Sequence, residues 1–124
     1  MAGVMAIALD VMDRPWEWGK ADCCTAACDV FWRLHGIDPM AVLRGRYSTE
    51  FGARRIIAGY GGFLAMAEHL ARESGLVRGS ARTGAIGATP ECLLVCAEPG
   101  VWLGKTLTGL STIRHVERAY HVAG

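Results

Sequence analysis

Apolar residues recur at helical spacing near the start of the chain. Val4, Ile7, Ala8 and Val11 share a stripe over residues 3–12, which predicts an amphipathic helix. Arg14-Pro15 ends it, because the residue before a proline is disfavoured in helical conformation. A short aromatic segment follows, Trp16-Glu17-Trp18-Gly19. Asp22 then suits an N-cap, and the helix after it runs to His35, with Gly36 as its C-terminal glycine. Cys23, Ala27, Val30 and Leu34 lie on one stripe of this helix, and Cys24, Cys28 and Phe31 on the next. Together they form a wide face to bury.

Beyond Ile37-Asp38-Pro39, Met40 to Leu43 reads as a turn and Arg44-Gly45-Arg46-Tyr47 as a loop. Ser48 can cap a helix from Thr49 to Ala58 that Gly59 ends. Gly61-Gly62 precedes a further helix, Phe63 to Ser74, stopped by Gly75. The pattern then changes. Gly79 to Pro90 is rich in small and polar residues and reads as a loop. Cys92 to Ala97 is a short apolar run between Pro90 and Pro99-Gly100, as expected of a buried strand. Val101 to Thr108, Leu110 to Ile113 and Ala119 to Val122 are further strand candidates. Helices first and strands after predict an α+β fold, with N-terminal helices packed on a small C-terminal antiparallel sheet.

Composition narrows the function classes. A chain of 124 residues suits a single domain over 1–124. With 52% hydrophobic and 20% charged residues it can build a core. A net charge of +1 and no basic run leave no footprint for nucleic acid. No segment is long enough to insert in a membrane. Met1 to Met12 is apolar but lacks a leading Lys or Arg, so it does not read as a secretory signal. Arg44, Arg46, Arg54 and Arg55 make the middle region locally basic and read as solvated faces or salt-bridge partners. Trp16, Trp18 and Trp32 read as core or cleft wall.

Chemistry concentrates at Gly19-Lys20-Ala21-Asp22-Cys23. A cysteine in the first helical turn faces unpaired backbone N–H groups and the positive end of the helix dipole. Both favour the thiolate, which is the nucleophilic form. The same residue also suits a small buried hydrophobe. Cys24 lies about 100° further round the helix and would point into the core when Cys23 points into a cleft. The five cysteines, Cys23, Cys24, Cys28, Cys92 and Cys96, do not form the pattern of a secreted disulfide framework. Cys24 with Cys28, and Cys92 with Cys96, are each spaced i, i+4. Four thiols could therefore meet around a metal if the strand packs on the helix. Ordinary packing would give the same spacing, and no cofactor is expected.

The run from Pro15 to Tyr47 resembles an uncharacterised, phage tail-associated branch of the NlpC-type (papain-like) cysteine peptidase superfamily. The resemblance rests on Pro15-Trp16-x-Trp18-Gly19, Asp22-Cys23, Gly36-Ile37-Asp38-Pro39 and Leu43-Arg44-Gly45-x-Tyr47, then on Gly61-Gly62 and the closing Arg118-Ala119-Tyr120-His121-Val122. It implies Cys23 as nucleophile, with Trp16, Trp18, Gly19 and Asp22 around it. In active members a Gly-Asp pair opens the first strand, and a His precedes an apolar-Gly pair on the second. Here Pro90-Glu91 replaces Gly-Asp, and Leu103-Gly104 is the apolar-Gly pair, so Trp102 stands where that histidine is expected. Tryptophan cannot accept a proton. Of the four histidines, His35 lies at the far end of the Cys23 helix and His69 mid-helix, which leaves His115 and His121 as candidate bases. The resemblance implies a tail-tip or hub component of a phage or phage-like particle. It would be assembled in the host cytoplasm, carried in the virion tail and bound to other tail proteins. It would be structural if the base is missing, and a peptidase or amidase acting on peptidoglycan peptides if another base serves.

Overall fold

A computed structural model describes residues 3–123; Met1, Ala2 and Gly124 lie outside the described residues. Four helices come first: α1 (Val4–Met12), α2 (Cys23–His35), α3 (Glu50–Tyr60) and α4 (Phe63–Glu73). Six strands follow: β1 (Leu76–Arg78), β2 (Ile86–Ala88), β3 (Leu93–Glu98), β4 (Val101–Thr106), β5 (Gly109–Ile113) and β6 (Arg118–Val122). They form one antiparallel sheet in the order β1-β6-β2-β3-β4-β5. The expected α+β class therefore holds, with a larger sheet than the sequence pattern showed.

Local signals account for most boundaries. The last turn of α2 closes on Gly36 in the left-handed conformation, φ 74°. The start of α3 differs from expectation: Thr49, not Ser48, is its N-cap, and the Thr49 hydroxyl accepts the Gly52 N–H. Its end differs too. Gly59 stays helical and the helix stops at Gly61, φ 94°, because only there does the backbone turn left-handed. The segment expected as a loop, 79–90, contains β2. Three residues, Ile86-Gly87-Ala88, are too few to show a strand pattern, and the strand exists because β3 and β6 flank it on both sides. β1 was likewise invisible in the sequence; it is a three-residue edge paired with β6.

Strand alternation gives the sheet two different faces. Leu76, Ile86, Ala88, Leu93, Val95, Leu103 and Tyr120 join the helices in the main core with Ala27, Cys28, Val30 and Phe31 of α2. Ala85, Leu94, Cys96, Trp102 and Ala119 form a second, smaller cluster. Gly87 makes room for it: a methyl there would come within 2.6 Å of the Trp102 ring. α2 packs on β3 and β4 with α1 beside it. Lys105 of β4 is buried, and its ammonium donates to the Met12 and Arg14 carbonyls just where α1 ends. This ties the sheet to the segment that leads into Trp16.

Candidate functional site

The chain between α1 and α2 folds back on itself. Glu17 and Ala21 form a β-bridge, and Trp16 packs edge-on against Trp18 with ring centroids 5.1 Å apart. Gly19 has φ 87°, and a methyl there would overlap the Tyr47 carbonyl oxygen. Only glycine allows both the turn and that approach.

Asp22 is the hub of the site and is almost fully buried. Its Oδ1 accepts the Cys24 and Thr25 N–H groups at 3.0 and 2.9 Å, while Thr25 Oγ1 accepts the Asp22 N–H at 2.9 Å. This is a reciprocal capping box. Its Oδ2 accepts the Gly19 N–H at 2.8 Å and the Tyr47 hydroxyl at 2.7 Å. One carboxylate thus joins the aromatic turn, the helix start and the loop before α3. Burial and the Asp22 charge push the Tyr47 phenol up, so it remains a donor.

Cys23 is the first residue of α2 and is half-buried. Its Sγ lies 4.0 Å from Cys24 Sγ and 3.9 Å from the Glu91 carbonyl oxygen. Hydrogen bonds from the Cys24 and Cys92 thiols hold Cys23 well below the ordinary thiol value, at about 4, against burial and the Asp22 charge. The helix start acts in the same direction. Cys24 and Cys92 are pushed up in turn, first by that same hydrogen bonding to Cys23 and then by burial. Burial alone leads the rise at Cys28. The group is therefore one thiolate with protonated thiols as its donors.

A cleft of about 400 Å³ opens beside Cys23. Trp16, Trp18, Met40, Tyr47, Ile57 and Phe63 line it, with Pro90 and Glu91 on the sheet side. The Trp16 indole N–H is enclosed in its wall without a protein acceptor.

Among the described residues no histidine lines this cleft. His35 Nε2 lies 2.8 Å from the Gly84 carbonyl oxygen, and its ring packs on Phe31. His69 stacks on Tyr60 and faces Glu73. His121 Nδ1 donates to the Val122 carbonyl at 2.9 Å, and its ring covers Gly79. His115 borders a separate hollow with Trp102, Arg114 and Arg118. The two candidate bases thus have other surroundings.

Trp102 is also misplaced by the sequence expectation. It does not border the Cys23 cleft; it lies in the second cluster, over Gly87. Its neighbour Leu103 faces the helices, and alternation sends Trp102 and Gly104 the other way. Gly104 is nonetheless close to the site, since a methyl on it would come 3.5 Å from Cys92 Sγ.

The four-thiol arrangement is overturned by the same alternation. Cys24 and Cys28 belong to the main core, whereas Cys96 belongs to the second cluster and Cys92 packs against it. Among the described residues no group of three or more His, Cys, Asp or Glu side chains could hold a metal ion. Trp32 is neither core nor cleft wall; it is half exposed, with Arg44 stacked over its ring. Arg44 bridges Asp29 and Asp38, each at 2.7 Å. Two contributors were missed as site residues, Tyr47 and Cys92. Tyr47 stood in a quoted motif, but nothing local tied it to Asp22. Cys92 was considered only as a metal ligand.

The fold and site define an α+β protein with a buried aspartate presenting a helix-start thiolate to an apolar cleft. Residues 3–122 match a family model described as "Domain of unknown function (DUF6950)", and the chain belongs to that family. No curated protein and no solved structure matches the chain.

Proposed function

We propose that this chain is a tail component of a phage or phage-like particle, a peptidase-like domain of the tail tip or hub that serves as a structural part. The observation that carries the non-hydrolytic half is the absence of any imidazole along the Cys23 cleft. Peptide hydrolysis needs a group that takes a proton from the nucleophile and returns it to the leaving amine. The neighbours of Cys23 are two thiols and a carbonyl oxygen, and none of them can do this at neutral pH. The tail setting is supported by the resemblance of the 15–47 motifs alone. Its partners would be other tail proteins.

A second reading stays in play because of one observation: Cys23, a helix-start thiol whose neighbours favour the thiolate, borders an open cleft. In that reading the chain is a cysteine peptidase or amidase acting on peptidoglycan peptides.

One experiment separates them. Purified particles are digested and their proteins identified by mass spectrometry, and the purified chain is incubated with cross-linked peptidoglycan peptides beside Cys23→Ser. The expected result is the chain in the particle and no peptide release above the variant. Release that vanishes in Cys23→Ser would establish the enzyme instead. Absence of the chain from assembled particles would remove the tail role.

A further inference from the structure

We propose that Cys23 and Cys92 form a peroxide-reactive dithiol pair, in which a hydroperoxide oxidises Cys23 and Cys92 then closes an intrachain disulfide. This goes beyond the tail reading and does not depend on it.

The geometry supplies each requirement. Cys23 borders the open cleft, so a small hydroperoxide can reach its sulfur. Its Sγ touches the carbonyl of Glu91, the residue just before Cys92, at 3.9 Å. The Cys92 side chain is near enough to help lower the Cys23 thiol, while its own thiol donates to the Leu93 carbonyl at 3.2 Å. Cys92 lies outside the β2–β3 ladder, which begins at Ala88↔Leu93. Its carbonyl accepts the Thr89 N–H at 3.0 Å, so the backbone is held and the approach to Cys23 falls to rotation of the Cys92 side chain.

Cys24 is the competing partner, with its sulfur 4.0 Å away. It is the wrong one for a bond. Adjacent helical residues diverge by about 100°, and closing a ring between them would distort the first turn that the Asp22 capping box holds. Cys24 is also buried. Its role is to donate a hydrogen bond to the Cys23 thiolate.

The chemistry balances as follows. The Cys23 thiolate attacks one peroxide oxygen; an S–O bond forms, the O–O bond breaks, and the departing alkoxide or hydroxide takes a proton from solvent. Cys23 is now a sulfenic acid. The Cys92 sulfur attacks the Cys23 sulfur, an S–S bond forms, the S–O bond breaks, and water leaves with the Cys92 proton. Two electrons pass from the two sulfurs to the hydroperoxide, which is reduced to an alcohol or water.

The test uses the reduced full chain and hydrogen peroxide, with thiol titration and peptide mapping by mass spectrometry. Free thiols should fall from five to three, with a Cys23–Cys92 cross-link that a dithiol reductant reverses. Cys24→Ser should still form it. Cys92→Ser, or Cys92→Ala if that variant folds better, should instead accumulate a Cys23 sulfenic acid that a dimedone probe captures. Three outcomes would overturn the proposal: a Cys23–Cys24 cross-link, over-oxidation of Cys23 with Cys92 still reduced, or no oxidation of Cys23 under peroxide that consumes free cysteine.

Discussion

Cys23 and Asp22 divide the work at the helix start. The Asp22 carboxylate accepts from three backbone N–H groups and from the Thr25 and Tyr47 hydroxyls, and so fixes where the thiol stands. Its charge opposes the thiolate, and the two neighbouring thiols more than offset that. Attack on a small pyridyl disulfide therefore has a clear pH signature. The Cys23 rate should be flat from pH 6 to pH 9 and fall with a midpoint near 4. A low thiol pKa also lowers intrinsic nucleophilicity. At neutral pH Cys23 should therefore react at a rate close to that of a free thiol, and at pH 5 it should be roughly fiftyfold faster. A midpoint near the ordinary thiol value would show that the neighbouring thiols do not donate to Cys23. Stability follows the same linkage. The Cys23 contribution is complete above the unfolded thiol value, shrinks as pH falls, and is gone below about 4. Above pH 9 the raised Cys24, Cys28 and Cys92 work against it, because the unfolded chain ionises them more readily.

At the scale of elements, the strand period decides what reaches the site. β4 sends Leu103 to the helices and Trp102 to the second cluster. Returning a histidine at position 102 should therefore not create a catalytic pair. Trp102→His should show no peptide hydrolysis and should lose about 3–5 kcal/mol of stability, because a fully buried indole over Gly87 is replaced by a smaller polar ring. Denaturant unfolding and the peptidoglycan-peptide assay check the two halves. Cys23-dependent hydrolysis in this variant would mean that position 102 does face the cleft. The helix start at Asp22-Cys23 was legible, because capping acts within four residues and its chemistry is local. The ends of α3 were less so, since two adjacent hydroxyls and three nearby glycines compete and only the backbone turn selects among them. The approach of the Glu91-Cys92 segment to Cys23 was not legible. It depends on where β3 begins against the N-terminus of α2, which no local pattern encodes.

Across the whole molecule, stability is uneven. β2, β3 and β4 lie inside the sheet, with α2 against them. α3 packs on α4, contributes no buried residue, and lends Glu50, Ala53, Arg54 and the half-buried Ile56 and Ile57 to the cleft wall. Hydrogen exchange should divide the chain accordingly. Amides of α3 should exchange by local opening, roughly a hundredfold or more faster than those of β3 and β4. Equal protection in both would mean that α3 unfolds only with the core. No described helix is long and apolar enough to cross a membrane.

The sequence by itself determined the helical first part, the wide buried face of α2, the capped cysteine and the α+β class, because periodicity and capping are short-range. Tertiary structure alone decided the six-strand order, the existence of β1 and β2, the two faces of β4 and the surroundings of Cys23. Those depend on register and on which strand ends meet which helix end. They are set by packing between residues tens of positions apart, as the contact of Cys23 with the Glu91 carbonyl illustrates.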